Sequence, residues 1–181
     1  MEKKDISSIR TEYSLKQFDE SEVNKDPIIQ FQTWFNDALS AEVTEPNAMV
    51  LATSTADGRP SARVVLLKGF DEKGFSFFTN YQSRKAAQLE QNSFAALVFF
   101  WPELERQIRI EGRIEKTSEL ESDDYFKSRP DGSKISAWVS PQSRVIHGRN
   151  FLESIKVVIE SQFSGKTISR PANWGGYRLP P

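Results

Sequence analysis

The run Thr79-Asn80-Tyr81-Gln82-Ser83-Arg84-Lys85 sets two cations where a helix would begin. Ser83 is a natural N-cap, so Arg84 and Lys85 fall in the first turn, where free backbone N–H groups already carry partial positive charge. No acid follows at helical spacing, because Ala87, Gln88 and Leu89 occupy those places. A bound anion removes the conflict, since the N–H groups and both cations would then face one phosphate. Two solvated surface charges are the other reading of the same feature.

Two further groups suit anions. Arg63-Val64-Val65-Leu66-Leu67-Lys68 has a cation at each end and aliphatic residues between. Five strand steps span roughly 16 Å. Arg63 and Lys68 have opposite parity, so a bulge or strong twist is needed for both to touch one ligand. Taken alone, the segment is an edge strand with charged ends. Tyr125 and Arg129 stand four apart on one helix face, and Ser133 follows the turn Pro130-Asp131-Gly132. Two hydroxyls and a guanidinium there would suit a second phosphate, or would simply decorate a capped surface helix. Three such groups in a chain of net charge -1 ask for a joint explanation.

The composition narrows the chemistry. With no cysteine there is no thiol nucleophile, disulfide or Cys-ligated zinc. His147 is the only histidine, so no multi-His metal site forms. Ser164-Gly165-Lys166-Thr167 resembles the end of a phosphate-binding loop, but Glu160 stands where that motif needs glycine. A sequence pI near 6.0 gives no field that would draw nucleic acid. The N-terminus lacks an apolar signal region, and Phe94 to Trp101, the longest apolar stretch, is too short to span a membrane. These features suit a cytoplasmic protein with no nucleic-acid or membrane partner.

The elements that must carry these residues follow from pattern. Residues 1–26 are charged and irregular and read as a mobile arm; residues 27–181 read as one domain. Asp26 caps a predicted helix with Pro27 at its first position. Strands are predicted over Ala48–Ser54, Ala62–Lys68 and Phe75–Thr79, and a short helix over Ser83–Asn92. Phe94–Trp101 reads as a strand covered on both faces. From Gln107 to Ile114, Ile108, Ile110 and Ile114 share one face, while Gln107, Arg109, Glu111 and Arg113 share the other. Ser118 and Glu121 form a capping box for a helix to about Arg129. A last amphipathic helix runs over Phe151–Phe163, with His147 in the loop before it, and ends near Gly165. Short strands and a few helices suggest a small β-barrel with helical additions.

The strings RVVLLK (63–68), FFTN (77–80), SRKA (83–86), LERQIRIEG (104–112), YFKSRP (125–130) and SAWVSPQS (136–143) resemble the pyridoxamine 5'-phosphate oxidase family. The similarity runs from Ile9-Arg10-Thr11-Glu12-Tyr13 to Trp174-Gly175-Gly176-Tyr177-Arg178. It implies a mainly β fold with helical additions, an FMN-binding split β-barrel that pairs as a homodimer. It implies that Arg63, Lys68, Thr79, Arg84, Lys85, Gln107, Gln142 and Ser143 hold FMN, with Arg63, Arg84 and Lys85 at its phosphate. The backbone of Arg63, Val64, Val65, Leu66, Leu67 and Lys68, with Phe78, would line the flavin. Lys68, Tyr125, Arg129 and Ser133 would bind the substrate phosphate, and Arg10 and Tyr13 would lie on a segment closing over the pocket. The implied reaction converts pyridoxamine or pyridoxine 5'-phosphate to pyridoxal 5'-phosphate by hydride transfer to flavin N5, with oxygen as electron acceptor. No metal and no catalytic side chain is implied.

The family pattern continues past Arg178 into strands bearing a tryptophan and an arginine near the flavin and an Arg-x-His pair over the substrate ring. This sequence closes at Leu179-Pro180-Pro181, so those positions have no counterpart in it. The resemblance therefore implies binding more directly than turnover. Two other readings share the fold: a non-catalytic FMN- or pyridoxal-phosphate-binding protein, and a flavin reductase relative.

Overall fold

A computed structural model describes residues 6–10, 12–15 and 18–181. They fall into two compact units, one within Met1–Pro46 and Phe100–Gln107, the other Asn47–Phe99 and Ile108–Pro181.

In the first unit, helix α1 (Pro27–Ser40) starts as its sequence dictates. Asp26 Oδ1 accepts the N–H of Ile28 at 2.8 Å and of Ile29 at 3.3 Å, and Pro27 takes the first position. The helix buries Phe31 and Ala38. The rings of Phe31 and Phe35 lie 6.3 and 6.2 Å from Trp101, whose indole N–H donates to Pro46 O at 3.0 Å. Within residues 1–26, short 3₁₀ turns form at Ile6–Ser8 and Glu20–Glu22.

Two four-stranded antiparallel sheets carry the rest. Strands β1 (Ala48–Ser54), β2 (Pro60–Leu66), β5 (Phe94–Trp101) and β6 (Arg106–Arg113) form the first, in the order β2-β1-β5-β6. Strands β3 (Gly69–Asp71), β4 (Gly74–Asn80), β7 (Glu115–Lys116) and β8 (Trp174–Leu179) form the second, in the order β3-β4-β8-β7. The helices are α2 (Arg84–Gln91), α3 (Glu119–Ser128), α4 (Asp131–Val139) and α5 (Arg149–Phe163). Two antiparallel sheets with added helices are the architecture expected from the sequence. No helix among the described residues is long and apolar enough to cross a membrane.

Five local expectations are corrected. The second strand ends at Leu66. The Leu67 N–H donates to Asn47 O at 2.8 Å, and the Lys68 N–H donates to Ser76 O of β4 at 2.8 Å. The chain thus changes sheets between Leu66 and Gly69, so strand parity no longer fixes where Lys68 points. Within one chain, strand β5 is covered on one face only. Leu97, Phe99 and Trp101 are buried, while Phe94 and Phe100 are 55% and 62% exposed, a period-two pattern hidden by an all-apolar composition. Pro130-Asp131-Gly132 is not a free turn, because Pro130 O accepts the N–H of Ser133 and Lys134 and so opens α4. Pro130 also holds Arg129 extended, at ψ 149°, which ends α3 at Ser128. The capping box is half made: Ser118 Oγ accepts the Glu121 N–H at 3.2 Å, but the Glu121 carboxylate pairs with Arg178. Finally, β8 forms where local pattern gave no strand. It pairs Phe78 with Gly176 and Thr79 with Gly175. A Cβ on Gly176 would sit 2.7 Å from Phe78 Cε1, so only glycine fits.

Candidate functional site

Register and a helix start bring three cations together. Leu51 of β1 pairs with Arg63 of β2, on the face opposite Val64 and Leu66. Ser83 caps α2, its Oγ accepting the Ala86 N–H at 3.4 Å, so Arg84 and Lys85 open the helix as predicted. Burial and then the Arg84 charge push the Arg63 guanidinium below its ordinary value. Burial and then Arg63 push the Lys85 ammonium down to about 8.

Their partners are neutral oxygens. Arg63 Nη1 donates to Thr53 Oγ1 at 2.6 Å and Leu51 O at 3.0 Å, and its Nη2 to Gln88 Oε1 at 3.1 Å. Arg84 Nη2 donates to Ser61 Oγ at 3.4 Å. Lys85 Nζ donates to Gln142 Oε1 at 2.7 Å and Thr79 Oγ1 at 3.1 Å. Among the described residues, no ion pair involves any of the three. Clustered cations without a carboxylate are costly unless an anion joins them, and a phosphate has the charge and acceptor oxygens to do so.

Lys85, Thr79 and Gln142 line a cleft of 690 Å³ in the same unit. One wall is Val64, Val65 and Leu66 of β2. Another is aromatic: Phe78 and Tyr125 stack at 4.0 Å between centroids, and Trp174 lies 5.6 Å from Phe78. Lys68, Arg129 and Ser133 also line the cleft, so Lys85 shares one cavity with the third sequence cluster, whereas Arg63 and Arg84 are not among its lining residues. The Arg129 guanidinium stands 4.6 Å from the Trp174 ring centre. Its Nη1 is buried with no hydrogen-bond partner. Burial pushes the Arg129 guanidinium down and the Tyr125 hydroxyl up. A second cleft of 550 Å³ shares Lys68, Phe78 and Tyr125 and reaches Arg178.

The remaining predicted residues lie elsewhere. Leu67 is buried in the core. Ser143 is exposed, in a left-handed conformation with φ 67°, next to Gln142. Arg10, Tyr13 and Gln107 belong to the first unit. Arg10 Nε donates to Ser7 O at 3.4 Å, Tyr13 is exposed, and Gln107 lines a 610 Å³ cavity of that unit beside Trp34 and Arg106. Thr53, Ser61 and Gln88 were not singled out from sequence. Only the pairing of β1 with β2, and the packing of α2 on them, makes these residues neighbours of Arg63. Among the described residues no group of three His, Cys, Asp or Glu is placed to hold a metal.

Comparison with known proteins gives a consistent picture. Residues 35–158 match the family profile described as Pyridoxamine 5'-phosphate oxidase. The chain is 57% identical over 176 residues to a pyridoxine/pyridoxamine 5'-phosphate oxidase of Burkholderia thailandensis, covering 97% of this chain and 82% of that protein. A protein of the same name from Burkholderia pseudomallei is 56% identical over the same shares. Among solved structures, PhzG from Burkholderia lata, in complex with tetrahydrophenazine-1-carboxylic acid, matches with TM-score 0.84 and 32% identity. That match covers 89% of this chain and 79% of PhzG. A pyridoxamine 5'-phosphate oxidase-related, FMN-binding protein from Nostoc punctiforme shares the fold, with TM-score 0.65 and 19% identity over 88% of this chain and 83% of that one.

Proposed function

The chain belongs to the pyridoxamine 5'-phosphate oxidase family, and from that premise we propose that it binds FMN and oxidises pyridoxamine or pyridoxine 5'-phosphate to pyridoxal 5'-phosphate. The observation that carries this reading is the acid-free cluster of Arg63, Arg84 and Lys85, whose Lys85 shares one cleft with Lys68, Tyr125, Arg129 and Ser133. One anion-suited group that reaches the cavity through Lys85, and a second that lines it, match a cofactor and a substrate that each carry a phosphate.

Arg63, Arg84 and Lys85 hold the FMN phosphate by charge-assisted hydrogen bonds. Thr79 and Gln142, already bonded to each other and to Lys85, extend that polar end. Val64, Val65, Leu66 and Phe78 form the apolar wall of the ring pocket. Lys68, Tyr125, Arg129 and Ser133 take the substrate phosphate, and the orphan Nη1 of Arg129 gains an acceptor there. Bound FMN supplies the hydride acceptor, with molecular oxygen as the final oxidant. The protein's part is to fix both phosphates and exclude water, so that the reacting rings meet in one geometry. Arg10, Tyr13, Gln107 and Ser143 enter the proposal through family resemblance.

We assign the working form as a homodimer. Val50, Val64, Leu66 and Phe94 make an exposed apolar surface on one face of the first sheet. Val64 and Leu66 also line the cleft, so a second copy covering that face would close the cavity.

The test is direct: load the purified chain with FMN, add pyridoxamine 5'-phosphate under air, and follow pyridoxal 5'-phosphate formation. A chain that binds FMN but forms no product would leave a binding protein on this fold. The likeness to PhzG supports a second reading, oxidation of a reduced polycyclic acid. Oxygen uptake with tetrahydrophenazine-1-carboxylic acid in place of pyridoxamine 5'-phosphate separates the two, because the Tyr125, Arg129 and Ser133 group suits a phosphorylated substrate.

A further inference from the structure

Gln88 is a polar residue buried to 4% exposure on α2, and each end of its amide is engaged. Its Oε1 accepts from Thr53 Oγ1 at 2.7 Å and from Arg63 Nη2 at 3.1 Å. Its Nε2 donates to Ser61 Oγ at 3.0 Å, and that oxygen also accepts from Arg84 Nη2 at 3.4 Å. Thr53 Oγ1 accepts in turn from Arg63 Nη1 at 2.6 Å. The guanidinium of Arg63 is therefore closed into a ring with Thr53 and Gln88. Arg84 is tied to the same amide through Ser61. Arginine only donates, so the amide oxygen must face Arg63 and the amide nitrogen must face Ser61.

We infer that Gln88 is the positioning residue of the phosphate site: it aims Arg63 and Arg84 at one monoester while adding no charge of its own. The inference rests on the FMN reading above and goes beyond it in naming what presets the cation cluster. A carboxylate in the same place would make a close ion pair with Arg63 and compete with the phosphate for it. It would also lose the donor that holds Ser61. A neutral amide orders two cations and leaves their charge to the ligand, so the site needs little rearrangement on binding.

The test uses two ligands that differ only in the phosphate. FMN and riboflavin are titrated against the unmodified chain, Gln88→Glu and Thr53→Val. In Gln88→Glu, FMN affinity is expected to fall about tenfold or more, with riboflavin affinity unchanged. Thr53→Val breaks the ring without adding charge, and a several-fold, FMN-selective loss is expected. Unchanged FMN affinity in Gln88→Glu, or an equal loss for both flavins, overturns the inference, the second result marking a merely structural role. If Gln88→Glu does not fold by circular dichroism, Thr53→Val decides on the same criterion. Failure of the unmodified chain to bind FMN would overturn the reading of the site, and this inference with it. FMN binding that is indifferent to residue 88 would overturn the inference alone.

Discussion

The guanidinium of Arg129 stands 4.6 Å from the centre of the Trp174 ring, and its Nη1 is buried without a hydrogen-bond partner. A planar cation laid on an aromatic face, with a buried Nη1 that lacks an acceptor, is set to take an anion in the plane of the fork. Lysine at this position keeps the charge but loses both the stacking and the fork. Arg129→Lys is expected to raise the KM for pyridoxamine 5'-phosphate about tenfold, because a hydrogen bond to a charged group contributes roughly 1.5–3 kcal/mol. FMN affinity should stay the same. An unaltered KM would remove Arg129 from the substrate site.

The Arg84→Ala/Lys85→Ala double variant tests the cofactor phosphate. Two charge-assisted bonds of roughly 1.5–3 kcal/mol each are lost, so FMN affinity should fall at least about tenfold. Fluorescence titration gives the answer, and unchanged affinity would move the phosphate site elsewhere.

Lys85 also makes binding depend on pH. Its ammonium is held down to about 8 by burial and by Arg63. A bound phosphate favours the charged form, so it raises that pKa toward the ordinary lysine range. Binding then takes up a proton above pH about 8, and FMN affinity should fall by up to roughly a factor of ten per pH unit from there toward the bound-state value. Below about 8, Lys85 is charged in both states and contributes no slope. Lys85→Met should bind more weakly and flatten the profile between ~pH 8 and ~pH 9.5. A wild-type profile equally flat would show that Lys85 does not face the anion.

The exposed sheet face predicts assembly. The chain should sediment at twice its 20.7 kDa at micromolar concentration with FMN present. Val50→Glu puts a charge in the middle of that face without touching the buried core, and should shift sedimentation to the monomer and weaken FMN binding together. A stable Val50→Glu dimer would place the contact on another surface.

Gly176 links the second sheet to the cleft. A methyl group there would meet Thr117 Oγ1 first and lie 2.7 Å from Phe78 Cε1, so Thr117 and Phe78 must move. Gly176→Ala should cost about 1–3 kcal/mol of stability and weaken FMN binding as the aromatic wall shifts. Thermal unfolding and FMN titration read the two effects. A variant neutral in both would mean that β8 and Phe78 do not pack as described.

What the sequence determined was mostly local. Asp26-Pro27 and Ser83 marked helix starts because an N-cap bond spans only two or three residues. The alternation from Gln107 to Arg113 marked the faces of β6 because side-chain direction repeats every second residue. Arg84 and Lys85 stood out by a conflict with their own helix end. The tertiary structure decided what depends on distant partners. Phe94–Trp101 is apolar throughout, so only packing could show which face stays open. Lys68 follows a change of sheet that residues 63–68 do not encode, since the acceptor for its N–H is Ser76. Gly175 and Gly176 have weak strand preference and form β8 because their neighbours need the space. Gln88 reads as one more polar residue on a short helix until Thr53, Ser61 and Arg63 arrive from two strands. Capping and periodicity are short-range and leave a mark in the sequence, whereas strand register and burial depend on pairings tens of residues apart and become visible only in the folded chain.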